Sequence, residues 1–339
     1  MRWHRMEETP MQVIGVIVLV VALFGFMGTY FWMSYGSESA SKTPIQVKMF
    51  SSHDDFFGIC QGSNGQAWAV GKEGVILCSK DGGRNWEEQL SGTHQSLSAV
   101  SFANNQVGFV VGNEGVILAT RDGGRSWGMQ SSGIKDYLLG IQALDEKKAY
   151  IVGAFGTFLA TTDGGTTWKK SEFPWKELIP RILEEVGGKV EPNLNAVHFV
   201  TPEIGWVAGE FGVILHTRDG GRTWTPQRGD SKLSQLCAVI FRDEHKGWAV
   251  GQRGTLVWTN DGGQHWYPSK IGTDRDLYAV ALEDKHIVAV GDHVSLVTEN
   301  GGSTWARKDF GKDLVLAGVT LMSKAATVVG QGGVIRRVE

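Results

Sequence analysis

The sequence predicts an all-β chain, a seven-bladed β-propeller preceded by one transmembrane helix. Three observations predict it. An eight-residue block ending in tryptophan recurs six times, a glycine-bracketed turn recurs through the chain, and residues 11–33 carry no charge. The block reads SKDGGRNW at 79–86, TRDGGRSW at 120–127, TTDGGTTW at 161–168, TRDGGRTW at 217–224, TNDGGQHW at 259–266 and TENGGSTW at 298–305. Its acidic position falls at Asp81, Asp122, Asp163, Asp219, Asp261 and Asn300, with spacings of 41, 41, 56, 42 and 39. A fixed period near forty residues marks a repeat architecture. The one long interval places an insertion at 172–193.

Each block closes a longer unit. The turn before it reads VGKEG at 70–74, VGNEG at 111–115, VGAFG at 152–156, AGEFG at 208–212 and VGQRG at 250–254. VGDHV at 290–294 is a degenerate sixth copy, and VGQGG at 329–333 is a seventh with no block after it. Further upstream lies an apolar run, such as LSAVSF at 97–102 or LCAVIF at 236–241. Short runs rich in Val, Ile and aromatic residues, bounded by glycine turns, read as strands. Four short strands per unit make a propeller blade. The seventh unit stops after its third strand. IQVKMF at 45–50 is therefore expected to supply its outer strand, closing a ring over 45–339 and removing open edges.

The eight-residue block resembles the Asp-box of the bacterial neuraminidase repeat. The whole unit, with its G-x-x-G turn before T-x-D-G-G-x-x-W, resembles the photosystem II stability and assembly factor family of seven-bladed propellers. The resemblance covers about 45–339 and departs at Asn300 and in the seventh unit, which lacks a box. It implies a propeller of a family that includes thylakoid-lumen assembly chaperones and relatives in bacteria that do no photosynthesis. A photosystem partner does not follow from it, because propellers host many functions.

The box residues are expected to be building parts. An aspartate in a tight turn accepts turn amides. The tryptophans Trp86, Trp127, Trp168, Trp224, Trp266 and Trp305 are expected to wedge between blades. Catalysis needs one unique constellation, whereas these carboxylates repeat around a ring. A sialidase-like glycoside hydrolase would need an arginine cluster with a tyrosine–glutamate pair, or two flanking carboxylates. The sialidase Arg-Ile-Pro element is absent; Pro180-Arg181-Ile182 has another order and lies in the insertion. The histidines show no metal-ligand spacing, and His198 reads as a satisfied strand residue. Cys60 and Cys78 fall two strands apart, beyond disulfide reach, so three free, buried thiols are expected with Cys237. Neither metal nor cofactor is expected. A net charge of −3 gives no sign of a nucleic-acid partner.

The N-terminus has a different character. Residues 1–10 contain Arg2 and Arg5 and are expected to stay in the cytoplasm. The 23 uncharged, mostly apolar residues of 11–33 suffice, at about 1.5 Å each, for a hydrocarbon core of about 30 Å. The stretch is too long for the apolar core of a cleaved signal peptide. Tyr30, Trp32 and Tyr35 sit where aromatic rings favour the interface, and 34–44 reads as a linker. The expected location is a bacterial inner membrane, crossed once, with the propeller in the periplasm.

Two surfaces are candidates for a partner. The insertion stands beside the G-x-x-G tips, and Phe155 and Phe211 belong to the blades flanking it. Trp175, Leu178, Ile179, Ile182, Leu183 and Val186 recur at helical spacing and predict a short amphipathic helix, with Pro180 in its first turns. This helix either covers the two phenylalanines or joins them, and Arg253 beside them, in an apolar docking patch. The second candidate is a basic face of Arg84, Arg125 and Arg222, which share one box position. The function read from all this is a non-catalytic, membrane-tethered scaffold or assembly factor for an integral membrane complex. That complex is a photosystem-like partner in a phototroph, or a transporter or envelope complex elsewhere, a multi-span exporter being one form. A carbohydrate- or cell-wall-binding propeller is the alternative.

Overall fold

In the computed structural model, the described residues are 48–49, 55–62, 64–185, 191–227, 234–311 and 313–338. The expected membrane span and linker lie outside them. No helix of the described residues is long and apolar enough to cross a membrane.

Seven four-stranded antiparallel sheets follow one another in chain order. The first blade runs through Phe56–Gln61, Ala67–Gly71, Ile76–Ser79 and Glu87–Gln89, from inner strand to outer. The seventh runs through Leu316–Met322, Ala325–Gly330 and Val334–Val338. Its fourth strand is Lys48–Met49, which pairs with Ile335 and Val334. The ring is therefore sealed by a strand from the other end of the sequence.

Inner and second strands are buried along most of their length. Each inner strand slips register between its first and third residues, at Phe56/Gly58, Leu97/Ala99 and onward to Leu316/Gly318. A bulge of this kind bends a strand and increases its twist. Where blades meet, aromatic rings stack. Trp68 lies on Phe102 with centroids 3.5 Å apart, Tyr150 on Phe199 at 3.8 Å and Trp206 on Phe241 at 3.5 Å. Each pair joins the second strand of one blade to the inner strand of the next.

The first glycine of the G-x-x-G turn is fixed by close approach. A Cβ on Gly71, Gly112, Gly153, Gly209, Gly251, Gly291 or Gly330 would strike the carbonyl oxygen of the residue leading into the inner strand. That same carbonyl accepts the amide of the next tip residue, as in Lys72 to Asp55 (2.9 Å) and Ala154 to Tyr137 (2.8 Å). The third residue of the turn is left-handed in all seven blades: Glu73, Glu114, Phe155, Phe211, Arg253 and His293 have φ between 53° and 56°, and Gly332 has φ 68°.

The insertion departs from its expected form. One amphipathic helix was the prediction; two short ones form, Trp175–Leu178 and Pro180–Glu185, broken at Ile179 (φ −135°, ψ 49°). Pro180 is the reason, since a proline disfavours helical geometry in the residue before it. Val186 lies outside the described residues.

Candidate docking surface

The propeller has two faces. One carries the Asp-box turns and the loops between first and second strands. The other carries the G-x-x-G tips and the connections between blades.

On the first face each box is a closed hydrogen-bond unit. Thr120 Oγ1 donates to Asp122 Oδ1 (2.8 Å) and accepts the Gly124 amide (2.8 Å), while Asp122 accepts the Ser126 amide (3.0 Å) and hydroxyl (2.6 Å). The same pattern holds Asp81, Asp163, Asp219 and Asp261. In the sixth box Asn300 Oδ1 accepts the Thr304 amide (3.0 Å), but its Nδ2 donates to Thr304 Oγ1 (2.8 Å), so an amide serves by reversing one bond. These bonds set the acidity. The Ser126 hydroxyl and amide hold Asp122 down at about 2, and those of Thr167 do the same for Asp163. At Asp219 and Asp261 partial burial pushes upward, and hydrogen bonds from Thr223 and His265 outweigh it, again giving about 2.

The tryptophans reach across blade boundaries. Trp127 Nε1 donates to Gln89 Oε1 (3.1 Å) and Trp168 Nε1 to Gln130 Oε1 (3.0 Å), both on the preceding blade's outer strand. That glutamine fills the space beside the second box glycine: a Cβ on Gly124 or Gly165 would strike it. Trp86 is buried against Val329 and Ile335 of the seventh blade. Trp224 packs on Phe158 and Phe199. Trp266 packs edge-on against Phe241, and Trp305 lies half-buried against the same core cluster.

The arginines of the expected basic face lie on this side of the ring. Arg84, Arg125 and Arg222 are exposed, on blades one, two and four. Arg84 Nη1 donates back to the Asp81 carbonyl (3.1 Å) and Arg222 Nε to that of Asp219 (3.0 Å). The equivalent Thr166, Gln264 and Ser303 make the same bond to their own boxes. The position is a turn donor in five of the six boxes, filled by several residue types.

At the centre of this face the channel opens as a cavity of about 810 Å³, bordered by Gln142, His198, Phe241, Arg242, Glu283 and Thr320. Three of its polar side chains are bonded to backbone groups. His198 Nε2 meets the Phe241 carbonyl (3.0 Å), Gln142 bonds both backbone groups of Phe199, and Glu283 accepts the amides of Ser323 and Lys324. Burial holds His198 down at about 4, so the ring is neutral. Among the described residues no cluster of His, Cys, Asp or Glu suits a metal ion. Cys60, Cys78 and Cys237 are free and buried, and burial raises all three thiols.

The second face carries the other candidates. Trp175, Leu178 and Ile179 are buried, and Ile182 is half-buried against the same cluster. They hold the insertion down and are not presented to a partner. The Trp175 indole stacks on Phe173 (4.7 Å) and lies over Gly156, where any Cβ would meet it. Phe211 is half-buried against this cluster. Phe155 is not covered: it is 63% exposed. Its amide donates to Asn193 Oδ1 (3.0 Å), and Asn193 is clasped by Glu210 through its own amide (2.9 Å) and side chain (3.1 Å). Arg253 is exposed on the fifth blade's tip, bonded to Ser234.

Sequence reasoning passed over Tyr137. It is 50% exposed and its carbonyl carries the Ala154 amide, so it stands directly beside the Phe155 tip. The signal was available: Tyr137 fills the slot before an inner strand, where the other blades carry Asp55, Ser96, Asn193, Gln235, Asp276 and Val315. Alignment of those slots isolates the aromatic.

A ring of seven antiparallel blades, six closed by an Asp-box, defines a seven-bladed Asp-box propeller whose accessible features are surfaces. The chain belongs to the family described as photosynthesis system II assembly factor YCF48, which matches residues 33–120, 119–235 and 231–337. The resemblance drawn from the repeats is thereby borne out. Among solved structures the chain is similar to YCF48 from Cyanidioschyzon merolae, at 21% identity and a TM-score of 0.71, covering 87% of this chain and 98% of that one. It is similar to a YCF48 bound to a D1 peptide, at 17% identity and a TM-score of 0.68, covering 88% and 96%. A xyloglucanase from Xanthomonas campestris is also similar, at 14% identity and a TM-score of 0.67, covering 86% of this chain and 53% of that one. At these identities the likenesses show the fold alone. No curated protein matches the sequence.

Proposed function

We propose that this chain is a non-catalytic accessory or assembly factor, tethered to a membrane, that binds an integral membrane protein complex. The observation that carries the reading is the exposed aromatic ledge of Tyr137 and Phe155, on a ring of tips whose other phenylalanine, Phe211, is half-buried. Exposed aromatics on a rigid hairpin are a protein-docking feature. Family membership supports it, as does a YCF48 relative bound to a peptide. The box carboxylates are spent on their own turns, and at the channel mouth Asp243 and Glu283 accept neighbouring amides, which favours binding over hydrolysis.

The tether rests on the apolar stretch 11–33. It anchors the chain once in a bacterial inner membrane, N-terminus inside and propeller in the periplasm, and raises the effective concentration toward a membrane partner. The partner is a photosystem-like complex in a phototroph and a transporter or envelope complex, such as a multi-span exporter, elsewhere.

The test is gentle detergent extraction of the full-length protein, with mass spectrometry of what accompanies it. A stoichiometric integral membrane protein supports the reading. A chain that comes out alone, even after mild cross-linking, overturns it and sends attention to glycan binding at the channel mouth.

A further inference from the structure

We propose that the Tyr137–Phe155 ledge receives a basic segment of a protein partner, with a Lys or Arg side chain over the aromatic rings and carboxylates on either side. This rests on the accessory-factor reading and adds the chemistry of what docks.

The first observation is strain without return. Phe155 has φ 53°, a conformation that makes a bulky residue a genuine outlier. The same slot in the seventh blade is Gly332, at φ 68°, with open space where a Cβ would stand. The turn therefore accepts the unstrained residue. Phe211 adopts the same conformation but regains contact from the insertion. Phe155 keeps 63% of its surface in solvent, and the bond it makes here, to Asn193, is made by its backbone amide and not by its ring. A strained residue retained at a surface points to a role outside folding.

The second observation is what surrounds it. Hydrogen bonds run from tip to tip: Gly115 to Asp136, Ala154 to Tyr137, Phe155 to Asn193, and Asn193 to Glu210. This makes one continuous strip across blades two to four. Its segments 113–114, 134–137, 154–155, 191–193 and 210–211 hold Glu114, Asp136, Glu191 and Glu210 against Lys135, with Lys170 a second cation 3.9 Å from Asp136. Asp136 also accepts the Thr157 hydroxyl (3.0 Å) and Glu210 is bonded to Asn193. Glu114 and Glu191 are exposed. Aromatic faces ringed by carboxylates attract a guanidinium or ammonium, by cation–π attraction and by charge together.

The experiment uses the full chain in nonionic detergent and two fluorescein-labelled synthetic peptides, one alternating Arg and Leu, the other Glu and Leu, with empty micelles as baseline. The expected result is saturable, salt-sensitive binding of the basic peptide alone. Phe155→Gly weakens it by about tenfold, the scale of one desolvated cation–π contact, with a thermal midpoint no lower than wild type. Glu114→Lys weakens it without touching the turn. Equal binding of the acidic peptide, full affinity in both variants, or a lower midpoint in Phe155→Gly would sink the proposal. Co-purification separates the two readings. If the membrane complex accompanies Phe155→Gly as well as wild type, this surface falls and the accessory reading stands. If wild type brings no membrane protein yet binds the basic peptide through Phe155, the accessory reading falls and this surface stands.

Discussion

The two faces of the propeller are built by opposite rules. On the Asp-box face, six turns repeat one bonding scheme, with a hydroxyl capping Gly124 and its counterparts and a single bond reversed at Asn300. On the other face the backbone repeats while the tip residue changes from Glu73 to Phe155 to Arg253 to Gly332. Where the side chain carries the turn it is constant, and where the backbone carries the turn it is free. The varied tip positions are therefore the ones the turn leaves open to other demands.

The largest test of this contrast is acid. Asp122, Asp163, Asp219 and Asp261 titrate at about 2 in the fold, against about 3.9 unfolded. A folded value below the unfolded one gives stability that is complete above about pH 4 and lost as pH falls toward 2. His198 and His216, held at about 4 chiefly by burial, add an earlier loss between about pH 6.5 and 4 with the same sign. Thermal midpoints across this range should fall in two stages. A flat profile down to pH 3 would break the assignment of the boxes as structural.

Next comes Gly209→Ala. Its Cβ meets the Asn193 carbonyl, which is backbone and cannot swing aside, so a loss of about 3 kcal/mol is expected in denaturant unfolding. Trp175→Ala follows. It removes a buried ring from over Gly156, and hydrogen exchange should rise at 152–157 and in the insertion while distant blades stay protected. Phe155→Gly is smaller and of opposite sign, a gain of about 1 kcal/mol from relieved strain. Smallest is Asp163→Asn at pH 7. Asn300 already shows an amide closing this turn, so the midpoint should scarcely move, while the acid sensitivity of that blade disappears.

Most of the architecture was legible because each blade repeats its instructions. The glycine pairs, the boxes and the alternating inner runs each have one physical reason, written at least six times. The strand closing the seventh blade was legible for a related reason: a unit lacking its outer strand left an unpaired run at the other end. The candidate site was legible only in part. Phe155 and Phe211 occupy the same slot with the same φ, yet one is exposed and the other half-buried. That difference is made by the insertion packing against one side, a contact between elements that no repeat encodes. The helix break at Ile179 was missed because periodicity was weighed above Pro180. Tyr137 was missed because it lies between repeat motifs.

The ring closure has a kinetic consequence. Lys48–Met49 pairs with Val334 and Ile335, so the first described strand meets the last. Every other blade closes on neighbours in sequence and is free to form as soon as its own residues emerge. The seventh waits for the whole chain, and closing so long a loop carries the largest entropy cost of any pairing in the fold. Until then the Val334–Val338 strand is an open edge. The seam is therefore expected to form last and to open first under stress, with hydrogen exchange at Val334–Val338 faster than in the other third strands.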